Sequence, residues 1–181
     1  MFKISYEILD NERFRISKVN NINNFENDVN TIVGQIQLVF QENFIGFLDK
    51  EIPYEGEFLI TWLRLLNESI LYLDTHGFAT MYEPDTDDIW LEFGENANHI
   101  RVSRIRAEKQ EYVTSYIDSI PKNKVEVFWH EDVSKDEFYD SILKVTALFI
   151  EDVLSMNKLM AESNEFKNLE SIYSKAIQEF N

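Results

Sequence analysis

Residues 79–106 read ATMYEPDTDDIWLEFGENANHIRVSRIR, and the class of the fold turns on them. Two stretches inside, DIWLEFG and HIRVSRI, alternate as half-buried strands do. Ile89, Leu91 and Phe93 face one way, with Trp90 and Glu92 the other; Ile100 and Val102 then oppose Arg101 and Ser103. Ile105 breaks the parity, so the second strand is expected to bend or end near Arg104. The turn-prone residues 95–98 join the two, which predicts an antiparallel pair. On such a pair Glu92 is placed to meet an Arg across the strands, for roughly a few tenths of a kcal/mol. Ala79 to Tyr82 reads as a short strand ahead of an acidic loop, residues 83–88.

Toward the C-terminus, residues 107–123 are the least regular; their pattern suggests a short helix over 107–118 with Tyr112, Tyr116 and Ile117 inward, ending before Pro121. Residues 124–130, KVEVFWH, read as a strand. Ser134 and Glu137 then have the spacing of a capping box. The helix they open is expected to run to about Met156 on a stripe of Phe138, Ile142, Val145, Phe149 and Val153. After the polar residues 161–164, Phe166, Leu169, Tyr173, Ala176, Ile177 and Phe180 form an amphipathic stripe on a last helix.

Toward the N-terminus, Leu59, Trp62, Leu63, Leu66, Ile70 and Leu73 recur at helical spacing between Pro53 and Gly77, with Trp62 as a core anchor. Residues 29–48 are strand-like, one strand or two, with Gly34 and Gly46 at bends or close backbone approaches. Residues 2–9 alternate as a strand; residues 10–12 turn the chain, and 13–17, RFRIS, read as the return strand of a hairpin before an Asn-rich loop at 20–24. Hairpins without βαβ alternation predict an α+β fold: one domain over residues 1–181, an antiparallel β-sheet with helices packed on it, including a long helix and a C-terminal amphipathic helix.

Composition narrows the function. With 14 Phe, 8 Tyr and 3 Trp in 181 residues the chain has the apolar mass for a core. No apolar run approaches the ~20 residues that cross a bilayer. The acid-bearing, alternating start MFKISYEILDNERFR lacks the form of a signal peptide, so a cytoplasmic chain is expected. The absence of cysteine removes disulfides, thiolate zinc sites and cysteine nucleophiles. Seventeen basic against 33 acidic side chains leave a net charge of −16. That field repels nucleic acid and anionic membranes and accelerates encounter with basic proteins.

No reaction is written in the residues. Asp85, Asp87 and Asp88 offer oxygens to a hard cation, but the calcium-loop pattern fails: counting from Asp85, position six is Trp90 rather than Gly and position twelve is Asn96 rather than Glu. A solvated turn or a partner-facing patch fits the same residues. His76, His99 and His130 fall on three different predicted elements; His130 with Glu131 and Asp132 has acid–base character, against the plainer reading of a surface histidine beside acids. Arg101, Arg104, Arg106 and Lys109 form a local basic cluster, either a salt-bridged sheet face or an anion site. The five glycines are too dispersed for a phosphate cradle, and no serine nucleophile motif occurs. Catalytic residues, metal ligands and cofactors are therefore not predicted. A small enzyme or metal-binding protein using Asp/Glu and His130, and a self-associating module pairing through the 166–180 stripe, are the alternatives to a binding protein.

The opening strand FKISYEILD, the Trp-bearing helix FLITWLRLL, the acidic aromatic strand DDIWLEFGEN and the later VEVFWHEDVSKDEFYDSILKV, together a quarter to a third of the chain, resemble the small immunity proteins of bacterial polymorphic toxin systems. The resemblance implies a non-catalytic cytoplasmic inhibitor of one cognate toxin domain. Acidity interleaved with aromatics points to Tyr82, Glu83, Asp85, Asp87, Asp88, Trp90 and Glu92 as the partner surface.

Overall fold

A computed structural model describes residues 1–28, 31–49, 51–52, 56–108 and 115–180. In chain order it contains β1 (Phe2–Ile8), α1 (Asp10–Lys18), α2 (Ile22–Asp28), β2 (Val33–Phe40), β3 (Asn43–Gly46), β4 (Glu57–Phe58), α3 (Leu59–His76), β5 (Phe78–Tyr82), β6 (Ile89–Asn96), β7 (His99–Ala107), β8 (Ile117–Asp118), β9 (Lys124–Ser134), α4 (Lys135–Met156), a 3-10 turn (Lys158–Glu162) and α5 (Asn164–Phe180). The fold is α+β. Every strand pair is antiparallel, but the strands form two sheets rather than one.

In the first sheet β2 is central. β1 pairs along one edge, Phe2 opposite Phe40 and Ile8 opposite Gly34; β3 and β4 share the other. The second has the order β8-β5-β6-β7-β9. Alternation puts Ile4, Ile36, Leu38 and Phe40 of the first sheet, and Met81, Leu91, Phe93, Ile100 and Val102 of the second, into one apolar cluster with the stripes of α3 and α4. Phe138 in the first turn of α4 ties the sheets together: its ring lies 4.9 Å from Phe2 and 5.3 Å from Phe93. The stripe of α5 packs along α3 of its own chain, with Phe166, Leu169 and Ala176 buried. No helix among the described residues is long and apolar enough to cross a membrane.

Several local expectations hold for their stated reasons. Gly77 ends α3 in the left-handed conformation, φ 68°, with its amide on the Leu73 carbonyl. Gly34 marks a close approach, since a Cβ there would collide with the Glu7 carbonyl and Leu59. Others are corrected. Residues 13–17 are not a return strand but the middle of α1. Its first turn carries Asp10 and Glu12 and its last turn Arg15 and Lys18, the arrangement that suits a helix dipole. Glu12 accepts from Arg15 within the helix, and distant groups secure it: the Val33 amide donates to Glu12, and the Asn157 amide donates to the Ile16 and Val19 carbonyls. The strand that pairs with β1 is β2, and the Asn-rich loop gives way to α2 at Ile22.

The turn after β6 is also tighter than residues 95–98. Pairing continues to Asn96 opposite His99, leaving Ala97 and Asn98, with Ala97 at φ 52°. Half of the helix expected over 107–118 falls on residues 109–114, outside the described residues; of the rest, Ala107 ends β7 and Ile117–Asp118 form β8, with Ile117 buried and Tyr116 exposed. The capping box at Ser134 does not form. β9 runs straight into α4, the Lys135 amide finds the Asn98 carbonyl at 2.9 Å, and Glu137 lies 3.7 Å from the N-terminal ammonium.

Candidate protein-binding surface

The loop between β5 and β6 is fastened at both ends by main-chain bonds, from the Glu83 amide to the Ile89 carbonyl and from the Ala107 amide to the Asp88 carbonyl. Within it the Thr86 hydroxyl donates to the Glu83 carbonyl at 2.7 Å, and Asp85 takes a left-handed φ of 59°, which Asp tolerates better than most residues. The loop thus presents a fixed tip, with Asp85 and Asp87 exposed and Asp88 partly so.

The other four residues singled out by sequence lie lower. Trp90 is 2% exposed and packs with Ile105, Ala107 and Tyr82 in a second apolar cluster, on the sheet face opposite the main core. Residues 115–122 cover that face. Tyr116 meets the Tyr82 ring at 5.7 Å, Lys122 stands 4.4 Å over the Trp90 ring, and the Thr80 hydroxyl bonds the Asp118 and Ile120 carbonyls. Burial holds the Tyr82 phenol above its ordinary pKa. Glu92, 3% exposed, has not an Arg but Lys124 as partner, at 2.6 Å, and accepts from the Lys122 amide. Glu83, 6% exposed, receives both Nε and Nη2 of Arg104, at 2.8 and 2.7 Å. A two-point Arg–carboxylate bond of this kind fixes orientation as well as charge.

Arg104 and Arg106 carry the geometry across β7 to β9. Both guanidinium groups lie over the Phe128 ring, at 5.5 and 5.2 Å. Arg106 also bridges Asp88, at 3.5 Å, and Glu126, at 2.8 Å. Arg101 is paired with Asp132 at 2.9 Å through two bonds and holds that carboxyl below the usual carboxylate range. The basic cluster is therefore a salt-bridged face where Arg101, Arg104 and Arg106 are concerned; Lys109 lies outside the described residues.

Sequence reasoning read the strand at 124–130 but missed its open half as a candidate surface; the strand is β9. It is the last strand of its sheet, and its register against β7 slips twice: Val127 faces Ile105 and Trp129 faces Arg104, while Lys124 faces Ala107 and Glu126 faces Arg106. Phe128 and Val125 are the extra residues, one at each bulge. Bulges twist an edge strand and re-aim its side chains. Here they leave Val125, Val127 and Phe128 at 63, 49 and 37% exposure. The dense apolar run at 125–129 was the available signal; the slips that turn it outward depend on β7. Past Phe128 one side of the strand is covered, while His130 and Asp132 stay exposed on the other: Trp129 meets Phe40 at 5.2 Å, Asn43 donates to Glu131, and Gln41 donates to the Asp132 carbonyl.

Another carboxylate joins the loop from below. Glu57 of β4 accepts the Trp62 indole N–H at 3.0 Å and faces Asp85 and Glu83. Burial, then the neighbouring Asp85 and Glu83 carboxylates, push its pKa up against the pull of the indole.

The histidines do not converge. His76 stacks on Tyr72, His99 faces Ser134, and His130 faces Ser103 on exposed strand, with the adjacent Asp132 taken by Arg101. Among the described residues no three His, Asp or Glu side chains are grouped to hold a metal ion. No family model, curated protein or solved structure matches the chain.

Proposed function

We propose that the chain is a non-catalytic binding protein that neutralises a cognate bacterial toxin domain, as the resemblance in its strands and helices implies, and that the partner docks where β9 and the 83–88 loop meet. The observation that supports this most is the open half of β9. Val125, Val127 and Phe128 are exposed beside Glu126, and Arg106 links Glu126 to Asp88. An apolar centre bordered by charged side chains, Arg104 and Arg106 at Phe128 and acids toward the 83–88 loop, is the composition of a contact surface: the apolar side chains supply affinity, and the charges steer encounter and select the partner. With a net charge of −16 the complement is a basic protein surface. The sequence reading is redistributed rather than kept whole. Asp85, Asp87 and Asp88 stay at the rim, Tyr82, Glu83, Trp90 and Glu92 support it from beneath, and Val125, Val127 and Phe128 take the central place. A cytoplasmic location belongs to the same proposal.

The test is to express the tagged chain in its host, capture it gently and identify what accompanies it. A stoichiometric basic protein whose toxic activity disappears on adding the purified chain supports the reading. A chain that comes out alone, or a companion whose activity the chain leaves intact, overturns it.

A further inference from the structure

A cleft lies at the corner where α1 gives way to α2. It encloses about 400 Å³, a volume within the range of small-molecule sites, and no acidic residue lines it. In a chain with 33 acidic against 17 basic side chains, an acid-free concavity is an exception. Phe25, 3% exposed, forms the floor, with the Arg15 guanidinium 4.8 Å from its ring centre. Phe14 and Lys18, one turn apart on α1, form a wall. Phe14 is 64% exposed, and the Lys18 ammonium stands 5.3 Å over its ring. Asn20 and Asn24 complete the rim.

The two cations differ in what they have left to give. Arg15 is committed: Glu12 takes its Nε at 2.9 Å and the Thr31 carbonyl its Nη2 at 2.6 Å. Lys18 has no carboxylate partner among the described residues. Glu26, the acid next to Phe25 on α2, is turned to α5 and accepts the Asn164 amide at 2.7 Å. A helix C-terminus ordinarily repels an anion, because its last carbonyls point outward. Here they are occupied: Ser17 donates to the Phe14 carbonyl at 2.8 Å, and the Asn157 amide donates to those of Ile16 and Val19 at 2.9 and 2.7 Å. An exposed ring, an unclaimed ammonium above it and neutral amides beside them suit a flat ligand that carries negative charge.

We propose that this cleft binds a small aromatic anion, its ring packed against Phe14 and its carboxylate or phosphate on the Lys18 ammonium, with the Asn20 and Asn24 amides at the ring edge. The ring supplies contact area and the ammonium holds the acid end. The acidity of the rest of the chain weakens the site little, because charges farther away than about 8 Å are screened at physiological salt. The cleft shares no residue with β9 or the 83–88 loop, so neither reading depends on the other.

The test is an NMR titration of the full chain with two series of probes. One sets indole-3-acetate against indole and acetate; the other sets adenosine monophosphate against adenosine and inorganic phosphate. The two series tell a carboxylate site from a phosphate site. At least one of the two aromatic acids is expected to shift the Phe14, Lys18 and Phe25 resonances with a Kd of about 1 mM or tighter. Its uncharged and ringless counterparts should bind about fivefold more weakly or worse. Lys18→Gln should erase the preference for the acid over the uncharged ring, and Phe14→Ala should weaken both. Both side chains are exposed, so the variants are expected to fold. The site is overturned if neither acid gives a saturable shift, if the uncharged ring or the bare anion binds as well as the acid, or if Lys18→Gln leaves the preference in place. Should a variant not fold, the comparison within each series on the wild type decides alone.

Discussion

The two halves of β9 are one strand with two fates. From Trp129 to Ser134 one side of the strand is roofed by the β2–β3 turn, and the strand continues into α4; from Lys124 to Phe128 it is bulged and open. The open half, KVEVF, is richer in apolar side chains than the covered half, WHEDVS, so composition alone would bury the wrong one. What separates them is whether the other sheet reaches that far. An edge strand with exposed apolar side chains is a hazard in a monomer, and the two bulges lower it by spoiling the straight backbone another strand would pair with. The side chains remain available while the main chain is made a poor template. That combination suits recognition through side chains better than addition of a strand.

The sharpest way to break the comparison is at the covered half. Phe40 is fully buried between Phe2 and Trp129. Phe40→Ala should cost about 3–5 kcal/mol in urea unfolding, the transfer term plus the cavity. A loss below about 1 kcal/mol would mean that the first sheet does not clamp β9. Next comes Arg104→Ala, which removes the partner of buried Glu83 and should cost about 2 kcal/mol, an unpaired buried carboxylate softened by the partial exposure of the Arg. Adding Glu83→Gln should restore part of that loss; no recovery would show that Arg104 acts through its packing on Phe128 instead.

At the open half the expected effect on the fold is small and the effect on binding is not. Val125→Ser with Phe128→Ser should shift stability by less than about 1 kcal/mol. Affinity for the captured partner should fall about tenfold or more, as loss of a contact centre does. Asp85→Lys with Asp87→Lys should slow association and flatten its salt dependence with the fold intact. Binding untouched by both pairs would remove the surface from consideration.

Where sequence and structure agree, the decisive forces are local. The alternation of Ile89, Leu91 and Phe93 and the stripe of α4 each record which side meets the core, and no distant residue is needed to read them. The misreadings all have distant causes. RFRIS alternates well enough for a strand, but its conformation is decided by Val33 and Asn157. Trp90 and Glu92, on the face opposite the core, look exposed until residues 115–124 fold over them. The outward turn of Val125 and Phe128 comes from a register that belongs to β7 as much as to β9. Residues 83–88 were recognisable as a candidate surface because acids in a turn stay acids in a turn; which of them face water was not.

The smallest expected effect concerns the floor of the loop. Glu57 has its pKa raised in the fold, chiefly by burial and then by Asp85 and Glu83. A raised acid binds its proton more tightly folded than unfolded, so its contribution favours the fold at low pH. That contribution is lost as the pH rises from the unfolded glutamate value of about 4.3 through the raised folded value, and above it the ionised side chain stays a fixed cost. Glu57→Gln keeps the acceptor for Trp62 and never ionises. Its urea midpoint should match that of the wild type at the acid end and move above it as the pH increases, levelling off once the wild-type Glu57 is fully ionised. A gap that stays constant with pH, or closes as pH rises, would mean that Glu57 is not strained by its neighbours.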